Sequence, residues 1–399
     1  MPDPSSSATT PALSQRVIFL MTLSCALAVS TIYYHQPLLP QMASSFGVPL
    51  ARTSLIATLT QFGYAAGLLF FVPLGDRVQP RKLASFVISA NAVALLACAL
   101  APSFAALAAC SFLVGMTAVT AQIIIPAVSG QASAQTRGRI VGSLLGGLSA
   151  GLLLARTLSG FIGAQLGWRA IFVLASVVDL ALLAVVIRNL PVSSGLSTIR
   201  YRDLMRSLGE MLREERVLRI SAATGFLMFA AFSALWATLA ALLARPPYEF
   251  GPAAIGAFGL VGLIGITVSP RIGSLVDRFG SRNVVFAGAI LLAVGFAFVA
   301  RSGHSLVWLV IGMVLLDFGN RAGLVANQSR VFALRPEARS RLNTVFIASY
   351  FLGGAAGAAL GGYAAHQQAW AGLAALGAVL AFAAMAVNSL AMRLRPAGA

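Results

Sequence analysis

Gly75-Asp76-Arg77-Val78-Gln79-Pro80-Arg81-Lys82 sets one aspartate among three basic residues, and apolar runs over 53–74 and 82–101 flank it. Charge of this density belongs in water, whereas about 20 successive apolar residues are what a helix needs to cross the hydrocarbon of a bilayer. The stretch therefore reads as a short aqueous loop between two membrane spans. The rest of the chain agrees: 58% of its 399 residues are hydrophobic, 10% are charged, and the mean hydropathy is +0.87. A soluble chain of this length would need charged faces on its helices. Here charge is confined between apolar runs.

Breaks at charge clusters, proline and glycine divide the chain into twelve candidate spans, at 16–40, 53–74, 82–101, 104–130, 139–164, 169–188, 218–244, 251–271, 283–300, 304–329, 342–364 and 369–391. At about 1.5 Å per residue most of them cover the hydrocarbon core. No ten-residue stretches alternate polar and apolar residues as barrel strands do, so the expected fold is an all-α integral membrane protein.

The opening loop recurs. Val276-Asp277-Arg278-Phe279-Gly280-Ser281-Arg282 follows the eighth span about 200 residues later, and Arg137-Gly138-Arg139 before the fifth is matched by Arg339-Ser340-Arg341 before the eleventh. The twelve helices thus read as two six-helix bundles related by a pseudo-two-fold axis. Residues 1–15 form a disordered cytoplasmic tail, 16–188 the first bundle, 189–217 a cytoplasmic linker, 218–392 the second bundle and 393–399 a second cytoplasmic tail. Within and beyond the linker, Tyr201 to Arg219 mixes Arg and Glu with Leu and Met at helical spacing, the pattern of an amphipathic surface helix. Two such bundles rocking about a midplane site are the architecture of an alternating-access carrier.

The basic residues set the orientation. Only Arg52, Arg169, Arg245 and Arg301 fall on one side of the expected membrane, Arg156 and Arg321 lie within it, and the rest occupy the other side. This bias puts both termini in the cytoplasm of a cell whose inner (plasma) membrane holds the chain. It also accounts for a formal charge of +17 through anionic lipid headgroups, with no nucleic-acid partner. Arg16, the apolar 17–27 and Ala26-Leu27-Ala28 imitate a signal peptide, but the apolar segment runs on to Pro40 and cleavage would leave an odd number of spans. Cys25, Cys98 and Cys110 sit within spans at no metal-ligand spacing, so neither a metal nor a disulfide framework is implied.

Gly75, Asp76, Arg77, Arg81 and Lys82 resemble the signature loop of the major facilitator superfamily, and Asp277, Arg278 and Arg282 resemble its weaker second copy. The stretches Gln36-Pro37-Leu38-Leu39-Pro40, Gly151 to Gly160 and Gly167-Trp168-Arg169-Ala170 are similar to its drug- and metabolite-efflux branch, of the drug:proton antiporter type. The resemblance covers roughly residues 16–392. It departs at two places: 104–130 contains no arginine, and Ala150-Gly151-Leu152 has no proline where the antiporter motif pairs Gly with Pro. The resemblance implies a monomeric secondary transporter exporting a small organic molecule in exchange for protons. Independently of it, Asp76 ends the second span where the eleventh begins near Arg341, so it is expected to clasp that helix N-terminus and hold the cytoplasmic face shut. Asp277 would meet the fifth span near Gly138 in the same way.

Arg156, Asp179, Asp317 and Arg321 are the charges inside the spans, and each needs a partner or an aqueous cavity. Asp317 and Arg321, four apart, share a helical face. Arg156 has two readings: a hairpin pair with Asp179 at similar depth, or a place facing the central cavity beside Ser149, Thr157 and Ser159, where it would attract an anionic or carbonyl-bearing substrate. Asp317 is the first candidate for a coupling proton, and His35 the second, since imidazole titrates near about pH 6.5. Tyr34, Gln36, Gln61, Tyr64, Gln122, Trp236, Asn320, Asn327 and Tyr350 are further candidate cavity groups by polarity and span.

Other functions fit less well. Gly147-Leu148-Ser149-Ala150-Gly151 matches the nucleophile-elbow pattern but lies in a membrane helix rather than a strand-to-helix turn, so no enzyme follows. No phosphate-cradling loop is present, so no nucleotide cofactor is expected. A metabolite or sugar carrier working by symport or facilitated diffusion, or a membrane sensor of the same fold, is the alternative.

Overall fold

The computed structural model describes residues 14–191, 200–335 and 338–390, with side chains for all of these but 134–135 and 263–270. The expected tails, apart from Ser14, Gln15 and the start of the first helix, and the linker residues 192–199 lie outside that range. Among the described residues every regular element is helical. The helices are α1 (Gln15–Ser30), α2 (Leu39–Phe46), α3 (Ser54–Phe71), α4 (Pro80–Ala99), α5 (Phe104–Thr117), α6 (Thr120–Ser129), α7 (Ala134–Leu166) and α8 (Trp168–Asn189), then α9 (Tyr201–Glu214), α10 (Arg216–Leu243), α11 (Pro252–Ala257), α12 (Gly262–Phe279), α13 (Ser281–Val299), α14 (Leu306–Phe332) and α15 (Arg339–Ser389).

Nine stretches among the described residues are long and apolar enough to cross a membrane. The count differs from twelve because the first and eighth expected spans are interrupted and the eleventh and twelfth are fused. The first ends as helix at Ser30 and passes through a turn at Thr31–His35 into a 3-10 turn at Gln36–Leu38, where Pro37 and Pro40 lack the N–H that continued helix needs. The eighth splits into α11, a 3-10 turn at Phe258–Val261 and α12. The eleventh and twelfth run together as α15, whose 51 residues leave helical geometry at Gln368 and Ala369. Unbroken, that helix would be about 77 Å long, far beyond the roughly 30 Å of hydrocarbon, so the break is what lets both parts lie in one membrane.

Glycines decide which helices touch. Ser30 Oγ donates to the Gly151 carbonyl at 2.9 Å, where α1 and α7 cross backbone to backbone. Gly353 and Gly357 press α15 onto α10 so closely that any β-carbon would strike the carbonyls of Phe226 and Ala230. Gly63 and Gly67 do the same between α3 and α5. These contacts join helices within one half of the sequence. Gly142 and Gly146 meet nothing.

The halves of the sequence meet elsewhere. α7 packs on α11, α3 on α15, and α10 on the 3-10 turn at Gln36–Leu38. The amphipathic α9 buries Leu204, Leu208 and Met211 and ties to both halves. Tyr201 donates to the Phe70 carbonyl at 3.0 Å, while Arg341 donates to Ser207 at 3.3 Å and Arg335 to Glu215 at 2.7 Å.

Candidate functional site

The end of the molecule carrying Arg77, Arg139, Arg339 and Arg341, called here the arginine-rich end, opens into a cavity of about 490 Å³. Leu68, Val72, Gln122, Ile125, Pro126, Ser129, Val141, Phe332, Arg339, Ser340, Asn343, Thr344 and Ile347 line it. Both halves of the sequence supply walls. Just beyond lies an aromatic layer: Tyr64 is one helical turn past Leu68 on α3, and Phe351 one turn past Ile347 on α15, and their ring centres are 4.4 Å apart. Phe229 of α10 stacks on Tyr350 at 4.0 Å and meets Phe351 edge-on at 5.2 Å. Tyr64 also shares a hydrogen bond with Gln122 at the cavity wall.

Behind this layer sits the ionised cluster. Arg156 of α7 is 3% exposed, with its guanidinium carbon 3.9 Å from the Trp236 ring centre and 4.6 Å from that of Tyr33. Nε donates to Gln36 Oε1 at 2.6 Å and Nη1 to the Leu152 carbonyl at 3.3 Å. Its readings are thus decided against the Asp179 pair: among the described residues no ion pair involves either group. The guanidinium turns instead to the Gln36 amide oxygen in its own half and to the ring face of Trp236 in the other. The expectation that Arg156 faces the wide cavity also needs correction. It lines a small recess with Gln36, Pro37, Trp236, Leu239, Ala240 and Ile255.

Asp317 and Arg321 of α14 form their expected pair, Nε to Oδ2 at 2.7 Å, and both charges act on Arg156 through space. Asn320, on the same helix, exchanges hydrogen bonds with the Tyr350 hydroxyl at 2.8 and 3.0 Å. Gln61 donates to Ser233 Oγ at 2.7 Å, joining α3 to α10 across the halves, while its Oε1 is buried without a partner. His35 Nε2 is likewise buried and unpartnered. Tyr34 bonds Ser30. Of the sequence candidates, Gln122 alone lines the large cavity. Asn327 stands apart: it donates to the Gly323 carbonyl at 2.9 Å and accepts from Arg330 at 3.4 Å.

Tyr33, Ser233, Phe229 and Phe351 were missing from the sequence candidates. Phe229, Phe232 and Trp236 stand three and four apart on α10, so their common face was legible; Ser233 and Tyr33 matter only through tertiary neighbours.

The signature loop is partly engaged. Arg81 Nε and Nη2 both donate to the Leu190 carbonyl, at 2.8 and 2.6 Å, capping the C-terminal end of α8 where a cation is favoured. Asp76 and Arg77 are exposed. The Arg341 charge acts on Asp76, yet no ion pair joins them, so the expected clasp is open in this conformation, as it must be with the cavity gaping between those helix ends. Asp277 is exposed with no contact to Gly138, which meets nothing. Arg278 lies over Phe279, and the Arg282 carbonyl accepts from Asn388 at 3.0 Å. Gly75 and Lys82 make no polar side-chain contact.

The far end is closed. Thr157 donates to the Gly256 carbonyl at 3.1 Å, and a β-carbon on Gly256 would stand 2.6 Å from the Arg156 carbonyl oxygen. Gly362 and Gly354 of α15 rest against Ser54 and Gln61 of α3. No group of three His, Cys, Asp or Glu suited to a metal occurs among the described residues.

The chain matches the Major Facilitator Superfamily over residues 18–275 and 222–399. It is 36% identical over 370 residues to a protein of Escherichia coli O157:H7 named transporter YgaY, covering 92% of this chain and 94% of that one. It is 33% identical over 390 residues to the transporter SCO4007 of Streptomyces coelicolor, covering 97% and 90%. Among solved structures, the nucleoside transporter NupG superposes with a TM-score of 0.73 at 15% identity over 96% of this chain and 100% of that one. The human organic anion transporter MFSD10 gives 0.71 at 18% over 94% and 99%.

Proposed function

This chain belongs to the Major Facilitator Superfamily, a membrane transporter and not an enzyme, and we propose that it moves a small organic molecule bearing an anionic or carbonyl group by alternating access, with proton-coupled efflux as its direction. Twelve spans in two six-helix bundles would rock about the ionised cluster, in the inner membrane, with both termini cytoplasmic and the monomer as the working unit. The observation that carries the reading is Arg156: a buried guanidinium with a neutral amide and two aromatic rings around it and, among the described residues, no carboxylate within ion-pair distance. A permanent cation in such a place is costly in a membrane, and a site that keeps it is one that meets an anionic or strongly accepting group when the halves part.

The aromatic layer then separates cavity from cluster, and a substrate entering past Tyr64 and Phe351 would meet Arg156 and the Asp317–Arg321 pair together. Its anionic or carbonyl group would rest on Arg156 and a donor group on the ionised Asp317; protonation of Asp317 removes that acceptor and releases the substrate, so proton and substrate occupy the site in turn. Substrate and proton are thereby linked through Asp317.

The test is proton flux in proteoliposomes with an imposed pH gradient and an internal pH dye, against a panel of organic acids, drugs, sugars and amino acids. One class that dissipates the gradient, with flux lost in Asp317→Asn, supports the reading. Substrate flux without proton movement would favour facilitated diffusion, and ligand binding without any flux a sensor.

A further inference from the structure

α8 carries a second buried carboxyl. Asp179 is 3% exposed and shares the buried face of α8 with Ala175, Ser176 and Leu182. Its situation is the opposite of that of Asp317, which has a guanidinium at 2.7 Å. Among the described residues Asp179 has neither an ion-pair partner nor a hydrogen-bond donor.

The surroundings of Asp179 come from three helices, α4, α7 and α1, that pack on α8. α4 meets it with apolar and neutral groups: Ser176 donates to the Ala92 carbonyl at 2.8 Å, Arg81 is held at the other end of the helix by Leu190, and the Cys98 thiol is buried near the outer end. α7 brings Arg156, whose donors go to Gln36 and Leu152. α1 brings the Cys25 thiol and, in the turn after Ser30, the Tyr34 hydroxyl, which lies within reach of the Asp179 charge. No cation compensates a carboxylate there. Burying an ionised carboxyl without a partner is so unfavourable that the group takes a proton instead.

We infer that Asp179 is a proton-binding site of the first half of the chain, holding its proton in this conformation. Two buried carboxyls, one with a guanidinium at 2.7 Å and one with no cation, are what a proton-coupled cycle can exploit. Tyr34 sits in the break of α1, between Ser30 and the turn at Gln36. Movement of that break as the far end opens would admit water to Asp179 and release its proton. The inference rests on the transporter reading above, but its own readout is independent of transport.

Infrared spectroscopy of the purified protein in a maltoside detergent, which has no carbonyl of its own, reads protonated carboxylic acids directly. The wild type at neutral pH should show a carboxylic acid band that disappears in Asp179→Asn, survives in Asp317→Asn and shifts in Asp179→Glu, a variant that retains the acid should the first fold poorly. Absence of the band in the wild type, or its survival in Asp179→Asn, would overturn the inference. In proteoliposomes the protons moved per substrate should fall in Asp179→Asn while substrate exchange without a gradient persists. If the wild type moves substrate but no protons, coupled transport fails as a reading even where the band stands.

Discussion

The two ends of this molecule are built from the same helices and behave differently. At the far end α7 and α11 meet backbone to backbone through Gly256, while on α15 Gly362 leaves room for the Ser54 side chain of α3. At the arginine-rich end the same α3, α7 and α15 splay around a cavity of about 490 Å³, with Arg339, Asn343 and Thr344 on its wall. Small residues line the closed end, and longer polar and charged ones line the open end. The lesson is that closure here depends on small side chains at a few positions, while at the open end Asp76 forms no ion pair with Arg341, because the helix ends that carry them are apart.

The largest effect that sharpens this contrast is expected from Gly357→Val, which drives a side chain into the Ala230 carbonyl inside the α10–α15 contact. That contact lies within one half and does not change between states, so the variant should fail to yield folded protein in size-exclusion chromatography. Gly256→Leu adds bulk to the far-end seam instead. It should fold, but overpacking costs about 1–3 kcal/mol, enough to move the population of the closed state by about fivefold to about 150-fold, seen as loss of transport with folding intact. If both variants behaved alike, the distinction between fixed and moving glycine contacts would collapse.

Breaking the Asp317–Arg321 pair from one side leaves a charge uncompensated. Asp317→Leu should lower stability by about 3 kcal/mol, and the double change with Arg321→Met should restore most of it, measured as thermal unfolding in detergent. Arg156→Met should do the reverse of a core truncation. Because Arg156 has no carboxylate, replacing it with an apolar chain of similar length should leave the unfolding midpoint equal or raised. Binding of the anionic substrate should fall tenfold or more, the worth of a charge-assisted hydrogen bond of about 1.5–3 kcal/mol. A loss of both together would make Arg156 a structural residue. Smallest of all, Arg335→Ala removes exposed pairs with Glu214 and Glu215, and unfolding in added salt should not register it.

Much of this was legible in the chain. Apolar runs marked the membrane helices, because these depend on local composition alone. The breaks were less so: Pro37 and Pro40 announce the interruption after Ser30, but nothing local explains why α15 departs from helix at Gln368 and Ala369, since a Gln-Ala step is a good helix former. Within the site, Asp317–Arg321 followed from four-residue spacing. The environment of Arg156 did not, because Gln36 and Trp236 lie 120 and 80 residues away. Sequence spacing fixes partners along one helix; the partner across the interface belongs to packing.

The central claim is that the two ends open in turn about the buried cluster. Pulsed electron-spin distance measurements test it most directly, with spin labels at Arg52→Cys and His366→Cys for the far end, and at Arg77→Cys and Arg339→Cys for the arginine-rich end. Both pairs go into a background where Cys25, Cys98 and Cys110 are serine. The account predicts a short far-end distance and a long one at the arginine-rich end without substrate, and a reciprocal exchange of the two when substrate and a pH gradient are supplied. Distances that stay fixed while substrate crosses, or ends that widen together, would contradict it.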